Sequence, residues 1–162
     1  MTNAASDLLR ADHRQIEDLL DRLLAVAKQP SRNMVPVLAE LVWTLRNLSH
    51  PHFDREERIF YPRLRALFPD LLARLDEQHE YVREVERNLS ELLAEIGDPP
   101  ADRQFAEVIR FSIELHDTIQ HHIVAEEEEL LRLADARLSP AEQQALAAQI
   151  LAENSASTNP RL

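Results

Sequence analysis

A chain of 162 residues with one glycine, nine prolines and abundant Leu, Ala, Glu and Arg suits a single helical domain with one continuous core. It has no cysteine, which excludes disulfides, thiolate metal sites, iron–sulfur clusters and thiol catalysis, so any metal site must use nitrogen and oxygen donors. A formal net charge of −11 argues against nucleic-acid binding through a basic face.

Prolines and small polar residues punctuate the chain. Ser6 or Asp7 can cap a first helix running to about Gln29, where Pro30 stops it. A second helix is expected from near Asn33 to about Phe68, ahead of Pro69. Within it, Pro51 removes an internal hydrogen bond and should kink the helix just before His52, and Pro62 should end its regular part soon after. A third helix is expected from about Asp70 to Ile96, with Gly97 as its C-terminal stop. The turn from Asp98 to Asp102 leads into a fourth, from about Arg103 to Ala136. Ser139, Pro140, Ala141 and Glu142 combine a capping box with proline at the first helical position. They start a short fifth helix, about Pro140 to Ala152, expected to pack back on the others. No apolar run approaches a membrane span, and the N-terminal MTNAASDLLRADH has no signal-peptide pattern, so the cytoplasm is the default compartment. The expected fold is all-α: an up-down-up-down four-helix bundle with a fifth C-terminal helix, forming one domain over 1–153 with a frayed, disordered tail over 154–162.

Each long helix carries an apolar stripe at three-and-four spacing interrupted by polar donors. The first reads Leu9, His13, Ile16, Leu20, Leu23; the second Leu41, Leu45, Leu48, His52, Glu56, Ile59. The third reads Leu72, Leu75, His79, Val82, Glu86, Leu89; the fourth Leu115, Ile119, His122, Glu126, Leu130, Leu133. His52 and His122 are each followed four residues later by the first Glu of an acidic pair, which puts imidazole and carboxylate on one helix face. That spacing alone is weak, since roughly one such pair is expected by chance in this composition. Reflection through the short turns is more telling. It carries His13 close to His52 and His79 close to His122, and the misses amount to one or two turns at roughly 1.5 Å per residue. Four imidazoles on four helices should therefore share a layer. An internal duplication is also suggested, with lone histidines 66 residues apart and His-x-x-x-Glu-Glu segments 70 apart.

A single core histidine is more often a hydrogen-bonded structural residue than a ligand. Buried carboxylates and imidazoles converging in one layer would each cost several kcal/mol without partners, and a cation offsets that cost. Four imidazoles and two carboxylates suit a non-haem di-iron or di-manganese centre. A single structural zinc would leave two groups stranded.

The segments DHRQIEDLL, HFDREERIFYP, DEQHEYVREV and HIVAEEEELL, in that order over roughly residues 6–136, resemble the hemerythrin family, specifically its hemerythrin-like HHE cation-binding domains. The resemblance implies two iron ions, oxo- or hydroxo-bridged and preferred over manganese, with His13, His52, Glu56, His79, His122 and Glu126 as ligands. Oxygen-carrying hemerythrins have a second histidine four residues from the one on the third helix, where this chain has Leu75 and Arg83. Their final carboxylate lies five residues after its histidine, so Glu127 competes with Glu126, and Glu57 similarly follows Glu56.

Other polar residues carry weaker readings. His50 is a spare ligand candidate, His121 and His116 suit surface roles, and Glu17, Glu86 and Glu129 could accept hydrogen bonds from the ligand imidazoles. Tyr61 and Trp43 could line the core or a pocket. Counting coordination positions leaves about two open on a di-iron pair, so a small-molecule ligand such as O2, NO or peroxide is expected. Three readings compete: a ligand-binding, storage or sensing protein; an oxidoreductase acting on peroxide or nitric oxide; and a structural bundle with a vestigial metal. A monomer or weak homodimer without nucleic-acid or membrane partners is expected.

Overall fold

The computed structural model describes residues 4–157, which are all-helical, with no strand among them. The long helices are α1 (Ala5–Lys28), α2 (Val35–Arg55), α4 (Pro69–Glu95) and α5 (Asp102–Ala125). The short α3 (Tyr61–Leu64) and α6 (Arg132–Arg137) prolong α2 and α5, and α7 (Pro140–Ser157) follows. α1 packs against α2 and α5, and α4 packs against the same two helices. Among the described residues, no helix is long and apolar enough to cross a membrane.

Several boundaries differ from the sequence expectations. α1 is capped at Ala4, whose backbone N–H donates to Asp7 at 3.4 Å. Ser6 lies inside the helix, buried, and donates to Asp135 at 2.5 Å. Gly97 does not end α4 in a left-handed turn. Ile96 leaves the helix in extended conformation, and no described glycine has positive φ. The C-terminal helix runs through Asn154 to Ser157, further than Ala152; the rest of the expected tail lies outside the described residues. The capping box at Ser139 and Glu142 forms as expected, with Ser139 N–H donating to Glu142 at 2.9 Å and Glu142 N–H donating to Ser139 Oγ at 3.3 Å.

Helix α2 runs on through Pro51, and its irregularity falls a turn later. Glu56–Phe60 form a π-helical turn, with Tyr61 N–H donating to Glu56 C=O, and Glu126–Leu131 form a second at the matching place after α5. Each π turn begins at the Glu of a His-x-x-x-Glu pair. An extra residue in the turn turns the following side chains relative to a regular helix. Phe60, Tyr61 and Leu64 after the first π turn, and Leu131 and Ala134 within and after the second, are all buried.

The apolar core is divided in two. One cluster holds Ile16, Leu20, Leu45, Phe53, Val82, Leu89, Leu115 and Ile119. The other holds Leu9, Phe60, Tyr61, Leu64, Leu72, Leu75 and Leu130, and is completed by Leu146, Ala147 and Ile150 of α7. His13 and His79 fall between residues of the two clusters, and the His52/Glu56 and His122/Glu126 pairs straddle their junction, with Phe53 and Ile123 as the last first-cluster residues. The fifth helix therefore packs back on the others as expected, beside α1 and the first π turn.

Candidate metal centre

His13, His52, Glu56, His79, His122 and Glu126 are all buried in the belt between the two clusters. The four imidazoles meet there through their Nε2 atoms. His52 Nε2 lies 2.8 Å from Glu56 Oε1, and His79 Nε2 lies 3.1 Å from Glu56 Oε2. Glu126 Oε2 is 3.2 Å from His13 Nε2 and 3.6 Å from His122 Nε2, and the Nε2 atoms of His79 and His122 are 3.0 Å apart. Two sets of donors each fit within 4.8 Å: His13, His52, Glu56 and Glu126, and Glu56, His79 and His122. Glu56 belongs to both.

The opposite edge of each ring is held by a neighbouring helix. His13 Nδ1–H donates to Glu127 (2.9 Å), His52 Nδ1–H to Asp12 (3.2 Å), His79 Nδ1–H to Glu57 (2.8 Å) and His122 Nδ1–H to the Gln78 side-chain oxygen (2.9 Å). Arginines support the three carboxylates: Arg14 on Glu127, Arg55 on Asp12 (2.6 Å) and Arg83 on Glu57 (2.9 and 3.1 Å). With each Nδ1 proton donated outward, the Nε2 lone pairs face inward, fixing the tautomer a metal ligand needs.

The belt is then lined almost wholly by acceptors. His13 Nε2, His52 Nε2 and all four carboxylate oxygens of Glu56 and Glu126 are buried with no hydrogen-bond partner. Orphaned acceptors in a dry interior are costly, and a cation is what such a cavity accepts. The proton affinities express the same demand. Burial opposes protonation of His13, yet the neighbouring carboxylates of Glu126, Glu127 and Glu56 raise its pKa well above the usual histidine value. Burial likewise opposes it at His79, but the adjacent carboxylates of Glu56 and Glu57 bring that group up to about 9. Burial and the positive charge on His79 hold His122 well below the usual value. Burial disfavours ionisation of Glu56, but the neighbouring imidazoles hold it well below the carboxylate range; burial and the Glu56 charge push Glu126 up.

Phe53 stacks on His79 at 4.1 Å between centroids and meets His122 edge-on at 5.6 Å. On the other side Tyr61 is buried, with its hydroxyl 3.3 Å from His79 Nε2. Burial and the charges of Glu126 and Glu56 raise the Tyr61 pKa well above that of a free phenol, so it remains a proton donor.

The structure thus brings together the six residues expected from the stripes but reassigns their supporting groups. Glu17 accepts from Gln120 at 3.2 Å, Glu129 pairs with Arg74 at the surface, and neither reaches an imidazole of the centre. Glu86 is buried but accepts from Ser49 Oγ (2.8 Å) and His50 Nε2 (2.5 Å). That contact also takes His50 away from the centre. His116 is largely buried and pairs with the neighbouring Asp117 at 2.8 Å, whereas His121 is exposed and lines an open cleft between α4 and α5. Tyr61 is core, whereas Trp43 is 66% exposed. The residues that support the rings, Asp12, Gln78, Glu57 and Glu127, each adjoin a belt residue in sequence. A neighbour about 100° round a helix can face the adjacent helix, but which ring it meets there depends on how the helices pack.

Fold and centre define a helical protein with buried His/Glu groups that can hold metal cations. The chain belongs to the hemerythrin family: the hemerythrin HHE cation-binding domain matches residues 4–134. No curated protein matches the chain.

Proposed function

We propose that this chain is a hemerythrin-like di-iron protein that takes a small ligand such as O2, NO or peroxide. Its two irons are held by His13, His52, Glu56 and Glu126 on one side and by Glu56, His79 and His122 on the other. In this reading the four long helices run up-down-up-down as one bundle domain over 1–153. The observation that carries it is the set of inward-facing nitrogen and oxygen atoms without partners between two apolar clusters. Nitrogen-rich, thiolate-free donor sets with bridging carboxylates suit iron.

When bound, such a metal pair supplies electron transfer and open coordination positions. The protein's own groups do the rest. Asp12, Glu57, Glu127 and Gln78 orient the rings, and Phe53 with its aliphatic neighbours excludes water. Tyr61 holds a proton beside Glu126. Metal analysis and an optical spectrum of protein purified without chelator test this: about two irons per chain with charge-transfer absorption are expected. A single zinc, or no metal after supplementation with iron, would overturn it.

A second reading, an oxidoreductase consuming peroxide or nitric oxide, is favoured by the smaller donor set around His79 and His122. Leu75 and Arg83 flank His79, and Arg83 is committed to Glu57. Mixing the reduced protein with oxygen separates the two. A persistent, reversible absorption band marks a carrier; irreversible oxidation with repeated peroxide turnover marks the enzyme.

A further inference from the structure

The hydrogen bonds around the belt obey an approximate twofold relation that exchanges α1 with α4 and α2 with α5. His13 donating to Glu127 corresponds to His79 donating to Glu57, and both carboxylates carry an arginine, Arg14 and Arg83. His52 corresponds to His122, but here the relation breaks. His52 donates to the carboxylate of Asp12, itself paired with Arg55, whereas His122 donates to the uncharged amide of Gln78.

We infer that Gln78 makes His122 the weakest of the four imidazole donors, and so makes the position built on Glu56, His79 and His122 the one that binds metal second and releases it first. This rests on the reading of the belt as a two-cation centre. A carboxylate accepting the Nδ1 proton draws it away and makes the opposite nitrogen a better donor. Such outer partners are typically worth 10–100-fold in metal affinity. An amide oxygen accepts the same proton without a negative charge and supplies less of this effect. Donor number acts in the same direction: the His52 side gathers four donors and the His122 side three. Burial does not separate the two supports, since Asp12 and Gln78 are both half-buried, so the asymmetry lies in their chemistry. Beyond donor number, one residue type, Asp12 against Gln78, distinguishes the two halves.

The test is anaerobic calorimetric titration of metal-free protein with ferrous iron, with helix content followed by circular dichroism. Wild type should bind in two steps at least about tenfold apart. Gln78→Glu, nearly isosteric, should strengthen the second step by about 10–100-fold and leave the first unchanged. Gln78→Leu, which removes the acceptor, should weaken the second step further. If Gln78→Glu loses helix content, Asp12→Asn replaces it, and should weaken the first step until the two converge. Two equal steps, or steps indifferent to these changes, would overturn the inference while leaving the two-cation reading intact. Failure of wild type to bind iron at all would overturn both.

Discussion

Each histidine of the centre works with both ring nitrogens, one facing the belt and one facing a carboxylate or amide on a neighbouring helix. Loss of different contacts should therefore have graded effects. Glu56 belongs to both donor sets, so on the two-cation reading Glu56→Ala should abolish metal binding, measured as metal content per chain. Glu57→Ala removes the support of His79 and the carboxylate held by Arg83 but no donor of the belt, and should lower affinity by about 10–100-fold, seen in competition with a chelator. Acid stability of the metal-free protein depends on the same groups. Burial opposes ionisation of Glu57, but its bonds from His79 and Arg83 hold it down to about 2. At Glu127 the bond from His13 is the largest influence, and it outweighs burial to bring that group to about 2 as well. Both folded values lie below the ordinary 4.5, so their stabilisation is present above that pH and lost as pH falls toward 2. His79 acts oppositely. Its value of about 9, raised from 6.5, gives stabilisation that is complete below pH 6.5 and lost through pH 9. Urea midpoints of metal-free protein should thus be highest between about pH 4.5 and 6.5. A midpoint that stays flat from pH 7 to 10 would contradict the assignment for His79.

At the scale of elements, the π turns at Glu56–Phe60 and Glu126–Leu131 separate the part of each helix that carries donors from the part that fills the second apolar cluster. The helix α7 closes that cluster although it lies beyond the residues matched by the family domain. Leu146 is buried there, so Leu146→Ala should destabilise the protein by about 2–5 kcal/mol through lost burial and a residual cavity. The measurement is a denaturant titration paired with metal analysis. Because Leu146 lies in the second cluster and not in the belt, metal content should stay unchanged, and a parallel loss of metal would show that α7 supports the centre directly.

Across the whole molecule, a belt of acceptors divides the core, so the fold carries an internal cost that cations offset. Metal bound only to the folded state adds about 2.7 kcal/mol per site at a hundredfold excess over Kd. For a chain of this size that is roughly 5–10 °C in Tm per site. Removal of bound metal should lower Tm by at least that amount in a scanning calorimeter. An unchanged Tm would favour a bundle whose metal is vestigial.

Much of this was legible in the residues themselves. The four long helices, the short turns and the six inward donors follow from three-and-four spacing, because side chains one helical turn apart must share a face. His13, His52, Glu56, His79, His122 and Glu126 interrupt stripes of leucine and isoleucine, and such interruptions are visible without coordinates. Less legible were the π turns, which require knowing where tertiary packing rotates a helix, and the end of α4, where Ile96 rather than Gly97 makes the exit. Glu86 lies on an inward stripe, yet packing sends it to Ser49 and His50. Gln78 and Asp12 lie off the stripes and become ring partners only because another helix happens to present an imidazole there. Periodicity along one helix specifies which side chains turn inward. Which acceptor each ring meets depends on the rotation and height of a second helix, and those are set by the packing of all the helices at once.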